Sequence, residues 1–229
     1  MKFLLKRKSE IAKMYHLETR EVLRGIYAVK TKNANFYVVK NDDVYIAIDA
    51  GGGNELAIKS ELEKLNIQPE KVTAVLLTHT DFDHVSGLGL FKNAEIYISK
   101  EEEQLLNGSA KRLQFGGKTK LNYKYSTIQY NQELHFGKIK VKSISTPGHT
   151  VGSMSFLIDD RYLFVGDNLS LKVDTIGLFN SIFNFCDTTQ SKSIQNLAKI
   201  TTTEYIFTAH YGFTDSPKSA FENFIKQLP

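Results

Sequence analysis

Short apolar runs alternate along the chain with polar or glycine-rich breaks, and the length and period of each run predict its structure. Residues 25–29, 36–40 and 44–49 are β-branched and aromatic stretches separated by Asn and Asp turns, a pattern that predicts a meander of strands. The glycine loop Ala50-Gly51-Gly52-Gly53 then leads to Leu56, Ala57, Ile58, Leu62 and Leu65, whose spacing predicts a helix with Asn54 as N-cap and Pro69 beyond its end. Residues 72–77 form an almost unbroken apolar run of strand length, as expected for a strand covered on both faces. That run stops at Thr78-His79-Thr80-Asp81, where polar chemistry begins.

A second strand and helix are predicted at 95–98 and 100–106, the helix rich in Glu near its positive N-terminal end. The pattern loosens over 107–124, where Lys111, Arg112, Lys118, Lys120 and Lys124 stand among glycines and polar residues; this reads as a long surface loop. Strands resume near Thr127 and at 138–143, 153–158 and 162–165. A helix over 188–200, a strand at 205–208 and a helix over 218–227 complete the chain. The charged opening of about twenty residues has no assignable pattern.

Length and composition narrow the class. A chain of 229 residues, 41% hydrophobic, can bury a large core and fits one α/β domain over 1–229 better than two small ones. Its 29 Lys and Arg against 25 Asp and Glu leave a charge of +4, too mild for a dedicated nucleic-acid binder but compatible with an anionic small substrate. A single cysteine cannot form an internal disulfide. Phe3-Leu4-Leu5 is cut short by Lys6, Arg7 and Lys8, and no window approaches a membrane span, so a soluble cytoplasmic protein without a membrane partner is expected.

Four potential metal ligands crowd into His79-Thr80-Asp81-Phe82-Asp83-His84, directly after a buried strand. Imidazole and carboxylate suit zinc, iron or manganese, and a loop at a strand end can turn such side chains toward one point. Alone, the cluster has a second reading as an exposed polar turn, which is the weaker of the two. Downstream, His149 sits in Thr146-Pro147-Gly148-His149-Thr150, an apolar strand ends in Gly166-Asp167, and another ends in Ala209-His210. Three apolar strands therefore end in ligand-type residues, the way an α/β scaffold gathers distant side chains at one edge.

These motifs resemble those of the metallo-β-lactamase superfamily, in which His-x-His-x-Asp-His is followed by His, Asp and His. The resemblance covers most of the chain, from about Gly25 to Gly212. It implies a four-layer αβ/βα sandwich, two mixed β-sheets face to face with helices outside, and two divalent metal ions in a cleft along one edge. It assigns His79, Asp81 and His149 to the first metal, Asp83, His84 and His210 to the second, and Asp167 to a bridge between them. Asp49 matches an aspartate that supports the metal loop from behind.

One position departs from the family pattern: Asp81 stands where the second histidine is usual. The extra carboxylate favours harder ions such as iron or manganese, or is simply a tolerated zinc ligand, and zinc remains the expected metal. A metal pair lowers the pKa of bound water and polarises a substrate oxygen, with Asp83 placed to orient the nucleophile or take its proton, so hydrolysis is the implied chemistry. The Thr-Pro-Gly-His-Thr and Gly-Asp contexts are most similar to the branch with hydroxyacylglutathione hydrolases and lactonases. They point to a small ester, thioester or lactone. Glutathione itself is not the expected carrier, since the helical C-terminal extension that holds it has no counterpart in this length. Asp167, where zinc β-lactamases commonly have cysteine, argues against antibiotic hydrolysis.

A non-haem diiron oxidoreductase acting on oxygen or sulfur compounds is the alternative, and phosphodiester or nucleic-acid cleavage a further one. His16 and His135 are expected on the surface and Cys186 in packing. Phe179, Phe183 and Phe185 are expected either to wall the metals or to pack in the core. Loop 107–124, with Tyr123 or Tyr125, either supplies cations and an aromatic hydroxyl to an anionic substrate or is simply solvated.

Overall fold

A computed structural model describes residues 14–111, 120–172 and 175–228. Its first sheet orders seven strands as they occur in the chain: β1 (Arg20–Leu23), β2 (Ile26–Lys30), β3 (Asn35–Asn41), β4 (Val44–Ile48), β5 (Val72–Leu76), β6 (Glu95–Ser99) and β7 (Ser126–Ile128). The first four pair antiparallel through short turns, and β4 to β7 pair in parallel. Parallel neighbours need crossovers. These carry α1 (Glu55–Lys64), the short α2 (Phe82–Val85) and α3 (Glu103–Asn107).

The second sheet begins with β8 (Glu133–Phe136), β9 (Ile139–Ser145), β10 (Met154–Ile158) and β11 (Tyr162–Phe164). A small hairpin of β12 (Ser170–Lys172) and β13 (Thr175–Gly177) and the helix α4 (Asp187–Leu197) follow, before β14 (Tyr205–Phe207) and β15 (Phe213–Thr214) rejoin the sheet and α5 (Pro217–Lys226) ends the fold. Only β11 and β14 pair in parallel there, so both sheets are mixed.

Alternation along the strands sets the layers. Tyr37, Val39, Ile46 and Ile48 face the other sheet and meet Val141, Phe156, Phe164 and Phe207, while Val38 and Ala47 face outward onto Ile58 and Leu62 of α1. On the second sheet Leu157, Leu163 and Ile206 face away from the centre, onto Ile194 and Leu197 of α4 and Phe221 and Phe224 of α5. Helix, sheet, sheet and helix thus give the four-layer αβ/βα sandwich. Tyr37 braces its centre, with ring contacts of 5.3 Å to both Phe164 and Phe207 and a buried hydroxyl that donates to the Thr208 carbonyl at 2.8 Å. That bond fixes the end of β14 just ahead of His210.

Several elements differ from the sequence pattern. The helix expected over 100–106 begins only at Glu103, because the preceding turn swings Glu102 into the interior. β1, within the unassigned opening, and the small β12–β13 hairpin and β15 are too short for a periodicity to register. Part of the expected basic loop, residues 112–119 with Arg112 and Lys118, lies outside the described residues. Among the described residues no helix is long and apolar enough to cross a membrane.

Candidate metal centre

All the strand ends named by the sequence open at one edge of the sandwich. β5 runs into Thr78 and His79, Asp81 caps α2, and His84 lies on that helix with its carbonyl bonded to Ala50 N–H at 2.8 Å. His149 follows β9 through Gly148, whose φ of +140° and closeness to Gln190 leave no room for a side chain: a Cβ would stand 2.4 Å from the Gln190 backbone. Gly166, at φ +53°, packs as tightly on Thr78 and turns β11 into Asp167. The two glycines let separate loops close onto one point.

At that point the side chains converge. Asp167 reaches all four histidines: its Oδ1 is 3.4 Å from His84 Nε2, and its Oδ2 is 3.1 Å from His210 Nε2, 3.4 Å from His149 Nε2 and 4.0 Å from His79 Nε2. Asp81 Oδ2 lies 3.2 Å from His149 Nε2 and 3.5 Å from His79 Nε2, and Asp83 Oδ2 lies 3.5 Å from His210 Nε2. Two trios, His79–His149–Asp167 and Asp83–His84–His210, have ligand atoms within 4.8 Å of one another.

The outer ring nitrogens show which way the imidazoles are oriented. His84 Nδ1 meets Asp49 Oδ2 at 2.8 Å, His79 Nδ1 meets Thr78 Oγ1 at 3.0 Å, and His149 Nδ1 meets Asn184 Oδ1 at 3.2 Å. His210 Nδ1 meets His16 Nε2 at 3.4 Å. Every histidine of the cluster thus turns Nδ1 to a neighbour that can accept its proton and Nε2 to the centre, the arrangement that leaves a lone pair for a cation. His79 Nε2, His84 Nε2 and Asp167 Oδ1 are buried without a hydrogen bond. Buried polar atoms are rarely left so, and a bound ion is one of the few things that would satisfy them here. The donor set, imidazole nitrogen with carboxylate oxygen, fits zinc, iron or manganese.

Electrostatics agree with that fit. Burial pushes the Asp167 carboxyl up, but His210 and His84 beside it outweigh burial and hold it well below the carboxylate range. Burial pushes His84 down, but Asp167 and Asp49 outweigh that and hold it well above the usual histidine range; His210 is raised too, with Asp167 again overcoming burial. A carboxylate-rich pocket that raises His84 and His210 is one that favours positive charge, supplied by protons or by metal ions that would displace them.

Behind the cluster lie supporting residues, of which the sequence pattern flagged Asp49 alone. Asp49, with φ +64°, accepts from Thr78 N–H at 2.7 Å and from the Thr78 hydroxyl as well as facing His84, so one carboxylate ties the β4 end to both sides of the ligand loop. That much was expected; the role of Glu102 was not. Buried to 1% exposure, it accepts from Thr80 N–H at 2.8 Å and Thr80 Oγ1 at 2.9 Å, and from Thr150 Oγ1 at 2.7 Å. It joins the loop of His79 to the loop of His149. Gln190 Nε2 donates to the Asp167 carbonyl at 3.2 Å and to Asn184 Oδ1 at 3.1 Å, linking α4 to Asp167 and, through Asn184, to His149. No local motif distinguishes Glu102, Asn184 or Gln190, since each acts across more than twenty positions of chain or through a loop.

A cleft of about 350 Å³ opens onto the centre, lined by Met14, His16, Lys32, Asn33, Asp81, Phe82, Asp83, His149, Asp167, Phe179, Phe183 and His210. His16 is therefore not the free surface residue expected from its polar surroundings. It is brought in because Tyr15 N–H donates to the His210 carbonyl at 2.7 Å and Leu17 N–H to Asn35 Oδ1 at 2.7 Å, and its own contact with His210 spans 194 positions of chain, beyond the reach of any local pattern. His135 does lie at the surface, 2.8 Å from Glu133. Of the two roles open to it, Phe179 forms a wall, its ring 4.9 Å from His149 and 5.4 Å from His210, with Phe183 at the mouth. Phe185 is 54% exposed and is absent from that lining. Cys186 is half-buried at the N-cap of α4 and takes no part in either trio.

An αβ/βα sandwich with a histidine–aspartate cluster at its strand ends defines a class of metalloprotein, and known proteins place the chain within it. The chain belongs to the metallo-beta-lactamase superfamily, whose family model matches residues 29–210. Over 157 residues it is 27% identical to a probable metallo-hydrolase of Methanocaldococcus jannaschii, a match covering 69% of this chain and 66% of that protein. It is 32% identical over 114 residues to a hydroxyacylglutathione hydrolase of Glaesserella parasuis, covering 49% of this chain and 41% of that one. The matched region thus spans somewhat less than two thirds of the length of such curated relatives. Among solved structures, an archaeal metallo-beta-lactamase superfamily protein from Sulfolobus tokodaii superimposes with a TM-score of 0.66 at 25% identity, over 90% of this chain and 86% of that one.

Proposed function

We propose that the protein is a hydrolase that works through two divalent cations, zinc being the expected metal, and that it cleaves a small ester, thioester or lactone. The observation that carries this reading is Asp167, one buried carboxylate within 4.0 Å of the inner nitrogens of all four histidines. In this reading His79, Asp81 and His149 hold one cation and Asp83, His84 and His210 the other, with Asp167 shared. Two such cations supply Lewis acidity and a water of lowered pKa when bound.

The chain's own residues supply the rest. Asp83 is the candidate proton carrier: its side chain is 22% exposed, faces the cleft and lies 3.5 Å from His210 Nε2. Asp49, Thr78, Asn184 and His16 hold the ligand imidazoles in one orientation, which keeps the inner nitrogens aimed without rearrangement. Phe179 covers the imidazoles of His149 and His210 and keeps water from that side. The cleft volume of about 350 Å³ is at the lower end for small-molecule sites and suits neither a folded protein nor a duplex. The names of the metallo-hydrolase and hydroxyacylglutathione hydrolase relatives support hydrolysis in the same sense.

Asp81 favours a second reading, a diiron oxidoreductase, because it sets a third carboxylate beside His79 and His149 and hardens the site. Elemental analysis of protein purified without added metal, paired with ester, thioester and lactone assays before and after chelation, separates the two. Zinc with chelator-sensitive cleavage upholds hydrolysis; iron with oxygen uptake and no cleavage overturns it.

A further inference from the structure

Among the described residues large apolar side chains are exposed in few places, and three of them line one opening. Of nine such residues among those described, Met14, Phe82 and Phe183 line the cleft above the metal cluster, and Tyr15, Ile182 and Phe185 are their close neighbours in sequence. Met14 is 41% exposed, Phe183 43% and Phe82 61%, so core packing does not account for them. Scattered apolar side chains on a surface are ordinary, but a gathering of them at the mouth of a concave site is surface that a ligand would cover. Phe183 stands 6.4 Å from the buried Phe179, which itself packs on His149 and His210, so aromatic surface leads from the opening down to the imidazoles.

The polar part of the lining is equally selective. Lys32 is the sole Lys or Arg among the lining residues, its side chain is exposed, and it makes no ion pair among the described residues. Its backbone is fixed, with Thr31 N–H bonded to the Ala34 carbonyl at 3.0 Å and Lys32 N–H to Gly52 O at 3.3 Å. Those bonds anchor the base of a cationic side chain in the lining of the cleft. Lys32 therefore places a positive charge in the lining where the anionic end of an entering ligand would meet it.

We infer that the cleft takes an amphiphilic acyl compound, with its apolar acyl arm against Met14, Phe82, Phe179 and Phe183 and an anionic group at Lys32. This rests on the hydrolase reading and adds to it the shape and charge of the substrate. Phenyl esters with acetyl, hexanoyl and octanoyl chains, each with and without a carboxylate on the ring, test it on the metal-loaded protein, alongside calorimetric titration with octanoate and acetate. The expected result is a rise in kcat/KM of about tenfold for each pair of methylenes buried, expressed mainly in KM. The ring carboxylate should add about tenfold, a preference that Lys32→Ala abolishes. Phe82→Ser and Phe183→Ser, both at exposed positions, should flatten the dependence on chain length.

Equal kcat/KM across chain lengths, or a carboxylate preference that survives Lys32→Ala, overturns the inference while leaving hydrolysis standing. Cleavage of none of these esters by protein holding two cations overturns the hydrolase reading instead. In that event octanoate binding tighter than acetate still upholds the cleft's preference, and equal binding overturns it too.

Discussion

The two halves of the cluster have the same composition, two histidines and one aspartate each around the shared Asp167, yet they are held by different means. His79 and His149 rest on uncharged partners, the Thr78 hydroxyl and the Asn184 carboxamide. In the other half His84 rests on the buried carboxylate of Asp49, and His210 on a second imidazole, His16. A carboxylate behind an imidazole orients it and also makes it more basic, whereas a hydroxyl or amide only orients it. Identical ligand types can therefore bind a cation with unequal strength, and the His84 half should release its cation last under a chelator.

The largest expected effect lies where the halves meet. Asp167→Ala should leave no more than one cation per chain and lower kcat/KM by several orders of magnitude, checked by elemental analysis and ester cleavage. Asp49→Asn comes next, keeping the shape but removing the charge behind His84. Chelator competition should show affinity in that half reduced about 10- to 100-fold. The bulkier loss, Asp49→Ala, would strand the buried Thr78 N–H and lower stability by about 3 kcal/mol in denaturant unfolding.

Asn184→Ala should weaken the other half by about tenfold, and His16→Ala should do the same to the His210 side. If Asn184→Ala cost as much affinity as Asp49→Asn, the charged support would confer no advantage and the contrast between the halves would fail. The smallest effect is expected from Glu102→Gln, which keeps the acceptor for Thr80 and compromises only the bond from Thr150. A loss of about 1 kcal/mol, read as a fall in Tm of about 2–4 °C, is the expected outcome.

What the sequence disclosed and what it hid divide along the same physical line. Strands of five or more apolar residues, the helix capped by Asn54 and the clustering of histidines and aspartates beyond the strand ends were legible, because local period and a polar break suffice to mark them. His16 misled, since a histidine in a polar segment carries no sign of the backbone bonds that pin Tyr15 and Leu17 against distant loops. Glu102 looked like an ordinary acidic residue at a helix start; only the fold shows it turned inward to two threonines. Phe185, by contrast, had the right neighbours and yet stays in solvent. Ligands announce themselves by residue type at strand ends, whereas the residues that steady them are defined by contacts across the chain.

The most direct test is to count cations by native mass spectrometry while metal-free protein is titrated with zinc, beside Asp167→Ala under the same conditions. Two cations per chain, bound in two unequal steps and not both retained by the variant, is the predicted result. A wild-type chain that binds none, or a variant that binds both as tightly as the wild type, would contradict the account in which Asp167, beside all four histidines, is shared by two cations.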